Sequence, residues 1–122
     1  MDIKDTSKTK GTLKVSEEVL ATVASVAAKE VSGVAELGIA PSIKGIVNKK
    51  SPLASIMIKM IMGAATIDVY VVLEYGAKIP QVGNEIQDNV KSAVQNMCNV
   101  VVDKVNVFVC GVVKKAEETD EQ

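Results

Sequence analysis

Between residues 66 and 75, TIDVYVVLEY, apolar side chains recur at every second position. Ile67, Val69, Val71, Leu73 and Tyr75 share one face, with Asp68, Tyr70, Val72 and Glu74 on the other. A two-residue period predicts a strand, and the first set is the one expected toward a core. LASIMIKMIM, at 53–62, is equally apolar and is separated from this strand by Gly63, Ala64 and Ala65. The pair reads as a β-hairpin with a short glycine-containing turn. VVVDKVNVFVCGVV, at 100–113, predicts a long final strand. Strict alternation there places Val101, Val105, Val107 and Val109 opposite Val102, Lys104, Asn106, Phe108 and Cys110.

Two other stretches carry a helical period. Ser16 is placed to cap a helix whose first turn holds Glu17 and Glu18, where carboxylates oppose the helix dipole. Leu20, Val23, Ala27 and Val31 follow at steps of three and four, widened by Val19 and Ala24, and Gly33 is the expected left-handed stop. The second helix is predicted over about 80–98, with Val82, Ile86, Val90, Ala93, Val94 and Met97 as its apolar stripe. Pro80 suits the first turn, and Asn99 suits a left-handed cap. Asn84, Glu85, Gln87, Asp88, Lys91 and Gln95 take the remaining surface, and Gln87, beside the stripe, either bonds the backbone of the turn at Tyr75 to Lys78 through its amide or stays solvated.

The ends, residues 1–10 and 114–122, are polar and charged and read as tails around a single domain at 11–113. GTLKV, at 11–15, predicts a short opening strand, and VAEL, at 34–37, another. Prolines, glycines and lysines break every period over 38–52, which reads as a mobile loop. The order is then β-α-β-β-β-α-β. Because each helix has one apolar side, the class expected is α+β, a mixed sheet of about five strands with both helices on one face.

Composition narrows the chemistry. The chain of 122 residues has 14 basic and 15 acidic side chains without a long run of either sign, and three aromatic residues, so neither a basic footprint nor base-stacking platforms for nucleic acid are expected. With no histidine and two cysteines, a structural zinc site lacks ligands, and Cys98 and Cys110 are read as small buried hydrophobes. No cofactor is expected: the glycine spacings match neither a Walker loop nor a dinucleotide fingerprint. No nucleophile has a base beside it, and Asp68 and Glu74 stand about 20 Å apart along a strand, too far to act as a pair, so no catalytic residue is assigned. The amino terminus lacks an apolar h-region and IMIKMIMGAA is short for a span, so the expected location is cytoplasmic, without direct membrane insertion.

The chain resembles the alkaline shock or Gls-type envelope stress response family of Gram-positive bacteria. The likeness lies in GTLKVSEEVLATVASVAAKEVSGVAEL at 11–37, IDVYVVLEYGAKIPQVGNEIQDNVKSAVQNM at 67–97 and VDKVNVFVCGVV at 102–113. Its motif residues here are Gly33, Tyr75, Gly76, Pro80, Gln87 and Asn106. Cys98 and Asn99 depart from the threonine–glycine pair common in the family, though Asn99 still suits the left-handed cap. The resemblance implies a non-enzymatic domain that self-associates or sits below the membrane on a membrane-anchored protein partner, supporting envelope homeostasis.

One pattern bears on partners independently of that resemblance. The strand at 53–62 is apolar on both sides, with Ile56, Ile58, Met60 and Met62 on one and Met57 and Ile61 on the other beside Lys59. If helices cover one face only, Met57, Lys59 and Ile61, with Tyr70 and Phe108, form a candidate partner-binding patch. The alternative is that the 38–52 loop, or Tyr70 and Phe108, cover it. Rival functions are a small-ligand or lipid-binding accessory protein using the same apolar face, and an RNA-binding module, the latter on fold analogy alone.

Overall fold

The computed structural model describes residues 15–40 and 51–114. Ser16, in extended conformation, accepts from the Val19 N–H at 3.2 Å and opens helix α1, Glu17–Lys29. The helix ends four residues before Gly33 rather than running up to it. Gly33, at φ +101°, instead closes the turn that delivers the chain to strand β1, Val34–Leu37. A β-carbon there would stand 2.9 Å from Cγ2 of Val82, so the glycine also admits the second helix.

The predicted hairpin forms with shifted limits. Ser51 caps a short 3-10 turn at Pro52–Ala54, so the first strand, β2, is Ile56–Ile61. The second, β3, is Ala64–Glu74 and includes two of the three residues assigned to the turn. Met62 and Gly63 alone make the reversal, at φ 51° and 83°. Two positive φ values define the type I′ turn that matches strand twist. Met62 therefore stands at the turn rather than on a strand face and is 98% exposed.

Helix α2, Ile79–Cys98, starts with Pro80 in its first turn and ends on Asn99, whose φ of 57° is the left-handed cap expected of it. β4, Val101–Val113, then runs parallel to β3, with α2 as the crossover that parallel strands require. β3 is the centre of a mixed sheet. β4 lines one edge, while β2 and β1, both antiparallel, share the other, pairing with the first and last parts of β3. The α+β class with two helices is as expected; four strands are described, and the opening strand proposed at 11–15 lies outside the described residues apart from Val15, which is not in a strand.

Alternation in β3 is strict: Ala65, Ile67, Val69, Val71 and Leu73 are buried. They face Leu20, Ala21, Ala24, Ala27 and Ala28 of α1 and Val82, Ile86, Val90, Val94 and Cys98 of α2 in one core. The alanines of α1 let the helices approach closely, and Asn89 of α2 donates to the Ala27 carbonyl at 2.7 Å. Several side chains depart from the expected faces, among them Val19, placed on the apolar side of α1 but 48% exposed. Tyr75 is 75% exposed because the ladder ends at Glu74 and Gly76, at φ +94°, turns the chain. Met97 is 74% exposed and Cys98 takes its place, because the buried row of α2 advances by four residues throughout. In β4, Val102 is buried and Val101 exposed, since Asp103 is an extra residue in the register with β3; Cys110 is a second one, between Val109 and Gly111. Each such bulge reverses the alternation.

Candidate functional site

Both helices pack on the face of the sheet lined by Ile67 and Val71, which leaves the opposite face without a covering element among the described residues. The cross-strand pairs place side chains there row by row. Ile61 lies opposite Ala64, Lys59 opposite Thr66 and Met57 opposite Asp68. Across β3, Lys104 neighbours Thr66, Asn106 neighbours Asp68 and Phe108 neighbours Tyr70. The five residues singled out as a partner patch, Met57, Lys59, Ile61, Tyr70 and Phe108, thus stand on one face.

Tyr70 and Phe108 stack at a centroid distance of 4.8 Å with planes 17° apart. Parallel-strand pairing sets that distance, and the stack is a rigid aromatic platform. It does not bury itself: Phe108 is 42% and Ile61 56% exposed, Lys59 is exposed, and Met57 and Tyr70 are half-buried. Beside the stack, Asn106 donates its side-chain amide to a carboxylate oxygen of Asp68 at 2.9 Å. This motif asparagine fixes the one acidic group in the middle of the face. The result is an apolar strip with Lys59 and Lys104 toward one end and the Asn106-held Asp68 carboxylate at its centre.

The remaining motif residues hold backbone. Gly76 makes the turn after β3, and Tyr75 donates its N–H to the Val113 carbonyl at 2.7 Å, tying that turn to β4. Gln87 does not reach the turn: it lies more than two helical turns into α2, about 12 Å along the axis, and its Nε2 donates to the Val105 carbonyl at 3.1 Å. Gln95, two further turns along, accepts from the Val102 N–H at 3.1 Å. Periodicity assigned Gln95 to surface and carried no signal of this role.

A second cluster missed in the sequence centres on Gly38, inside the segment read as a mobile loop. Its N–H donates to the Tyr70 carbonyl at 2.7 Å, and its carbonyl accepts from the Ser55 hydroxyl, the buried polar side chain of the described core. Sγ of Cys110 stands 2.6 Å from where a β-carbon on Gly38 would lie. Cys110 is thus on the surface, not in the core, while Cys98 is buried and its thiol pKa is raised by that burial. Ala40 is also buried and bonded to Ala54, so both ends of the 38–52 segment are anchored; residues 41–50 lie outside the described residues.

Shallow clefts lie elsewhere among the described residues. Glu30, Glu85, Asp88 and Asn89 line one between the helices; Gly33, Tyr75, Lys78 and Gln81 line another at the start of α2; Ser25, Lys29, Glu36 and Ser55 line a third beside β1. None joins a nucleophile to a base, and among the described residues no three metal-ligating side chains converge.

Comparison with known proteins gives this arrangement its relatives. The chain is 30% identical over 114 residues to the uncharacterized protein YqhY of Bacillus subtilis, covering 92% of this chain and 83% of that one. It is 31% identical over 103 residues to the uncharacterized protein Spy1614 of Streptococcus pyogenes, covering 81% and 85%. Among solved structures, MamM-CTD superposes with a TM-score of 0.49 at 16% identity, over 79% of this chain and 99% of that one. A family model matches residues 5–114, so the resemblance read from the sequence holds: the chain belongs to the alkaline shock protein 23 family, with a cell envelope-related function.

Proposed function

We propose that the protein is a non-enzymatic, cytoplasmic association module of the cell envelope, whose helix-free sheet face docks a membrane-anchored protein partner. The observation that carries this reading is the Tyr70–Phe108 stack with Met57 and Ile61 on a face that no described element covers. Rigid aromatics supply contact area at low cost in side-chain entropy, adaptable methionine moulds to irregular partner surface, and flanking lysines set orientation. The family's envelope-related function supplies the setting. No described helix is long and apolar enough to cross a membrane, and in this reading the partner supplies the anchor.

The test is affinity capture of the tagged chain from detergent-solubilised native cells, read by mass spectrometry beside a Met57→Glu variant. Recovery of an integral membrane protein that the variant loses is the expected result. Recovery of ribonucleoproteins, or of a lipid in place of a protein, would replace this reading with one of its rivals.

A further inference from the structure

The far edge of β4 has an unusual inventory of backbone groups. Gln95 takes the Val102 N–H and Gln87 the Val105 carbonyl, which identifies these as groups pointing away from β3. Alternation from Val105 then puts the N–H and carbonyl of Val107 and of Val109 on the same far side. The Val113 carbonyl points back toward β3, where it accepts from Tyr75, as the extra residue at Cys110 requires. Val107 and Val109 have no bond on the far side to any described residue.

Side chains add to this. From Val107 to Val113 the strand carries no charge. On the helix side Val109 is 37% and Val112 47% exposed, and on the opposite side Phe108 is 42% and Val113 42% exposed. Continuous apolar runs belong to strands covered on both faces and paired on both edges, yet among the described residues this one is bare in all three directions.

We infer that β4 pairs antiparallel with β4 of a second copy, about a two-fold axis through Phe108. This deepens the association role proposed above and rests on it. In that register Val107 of each copy exchanges both bonds with Val109 of the other, giving four new hydrogen bonds and no unmatched group between them. Phe108 faces Phe108 in the non-bonded position, where side chains come closest, so the two Tyr70–Phe108 stacks join into one row of four rings. Lys104 falls opposite Val112, and Asp103 opposite Val113, so no like charges meet. A lone peptide strand would supply the bonds but leave both faces of the strand end bare. A second copy brings its own helix layer and its own open face to the same two sides, which favours it as occupant.

Sedimentation of the purified chain is the test, because it reads the edge without any partner. A dimer is expected, with Val109→Pro, which removes an outward N–H, and Phe108→Glu, which sets two carboxylates together on the axis, both monomeric and both keeping the native far-ultraviolet dichroism. Oxidation of Phe108→Cys in a Cys110→Ser background should give a covalent dimer, since directly opposed residues there lie within disulfide reach; Val112→Cys in that background should not. A chain monomeric at roughly millimolar concentration, or cross-linking equal at positions 108 and 112, would overturn the inference. Partner capture sensitive to Met57→Glu would survive that outcome, so the two readings fail separately.

Discussion

The side-chain amide of Gln87 donates to the carbonyl of Val105 at 3.1 Å, linking α2 to β4 across 18 positions of sequence. An amide can fill this role and a carboxylate cannot, because the carbonyl needs a donor. Gln87→Ala should lower stability by about 0.5–1.5 kcal/mol, the usual worth of one such bond, and Gln87→Glu by at least as much. Urea unfolding of both variants measures the difference.

Cys110 and Gly38 share a space that holds only one of their side chains. Gly38→Ala should cost about 1–3 kcal/mol through overpacking, since Sγ of Cys110 lies 2.6 Å from the new β-carbon. Pairing it with Cys110→Ala should recover much of the loss, because the closest atom is then gone while the Cys110 β-carbon, at 3.2 Å, can give slightly. Strict additivity of the two changes in thermal unfolding would contradict this contact.

The hairpin turn offers a gain. Met62 holds φ 51° without a glycine's freedom, ahead of Gly63. Met62→Asn supplies the Asn-Gly pair that a type I′ turn favours and should stabilise the protein by about 0.4–1 kcal/mol, read from the urea midpoint.

The two thiols should separate by reactivity. Cys110 is exposed, whereas Cys98 is buried with its pKa raised by desolvation, which lowers its thiolate fraction at neutral pH. A maleimide should therefore label the folded chain at Cys110 alone and reach Cys98 only in denaturant; peptide mapping distinguishes the sites.

These cases also show which parts of the fold periodicity carries. Ile67, Val69, Val71 and Leu73, and the row from Val82 to Val94, declare their burial because an isolated strand or helix already has two sides. The exposure of Val101 is not declared, because it depends on how many residues of β4 fit beside Ala65 and Thr66, a matter settled between strands. Gln95 reads as surface, and Gln87 as solvated or bonded to the turn before α2, for the same reason: their partners belong to an element whose place on the sheet edge is tertiary. The patch residues were legible as an excess of apolar side chains on the Met57 side of β2, while the stack that organises them came from the parallel register of β3 and β4.

The central claim, that the helix-free face docks a protein, is tested most directly by site-specific photocross-linking in native cells. A photoreactive residue replaces Phe108 or Ile61 on that face, and Val26 or Lys91 on the helices. The account predicts adducts with a membrane protein from positions 108 and 61 and none from 26 or 91. Adducts from the helix positions alone, or with nucleic acid in place of protein, would contradict it.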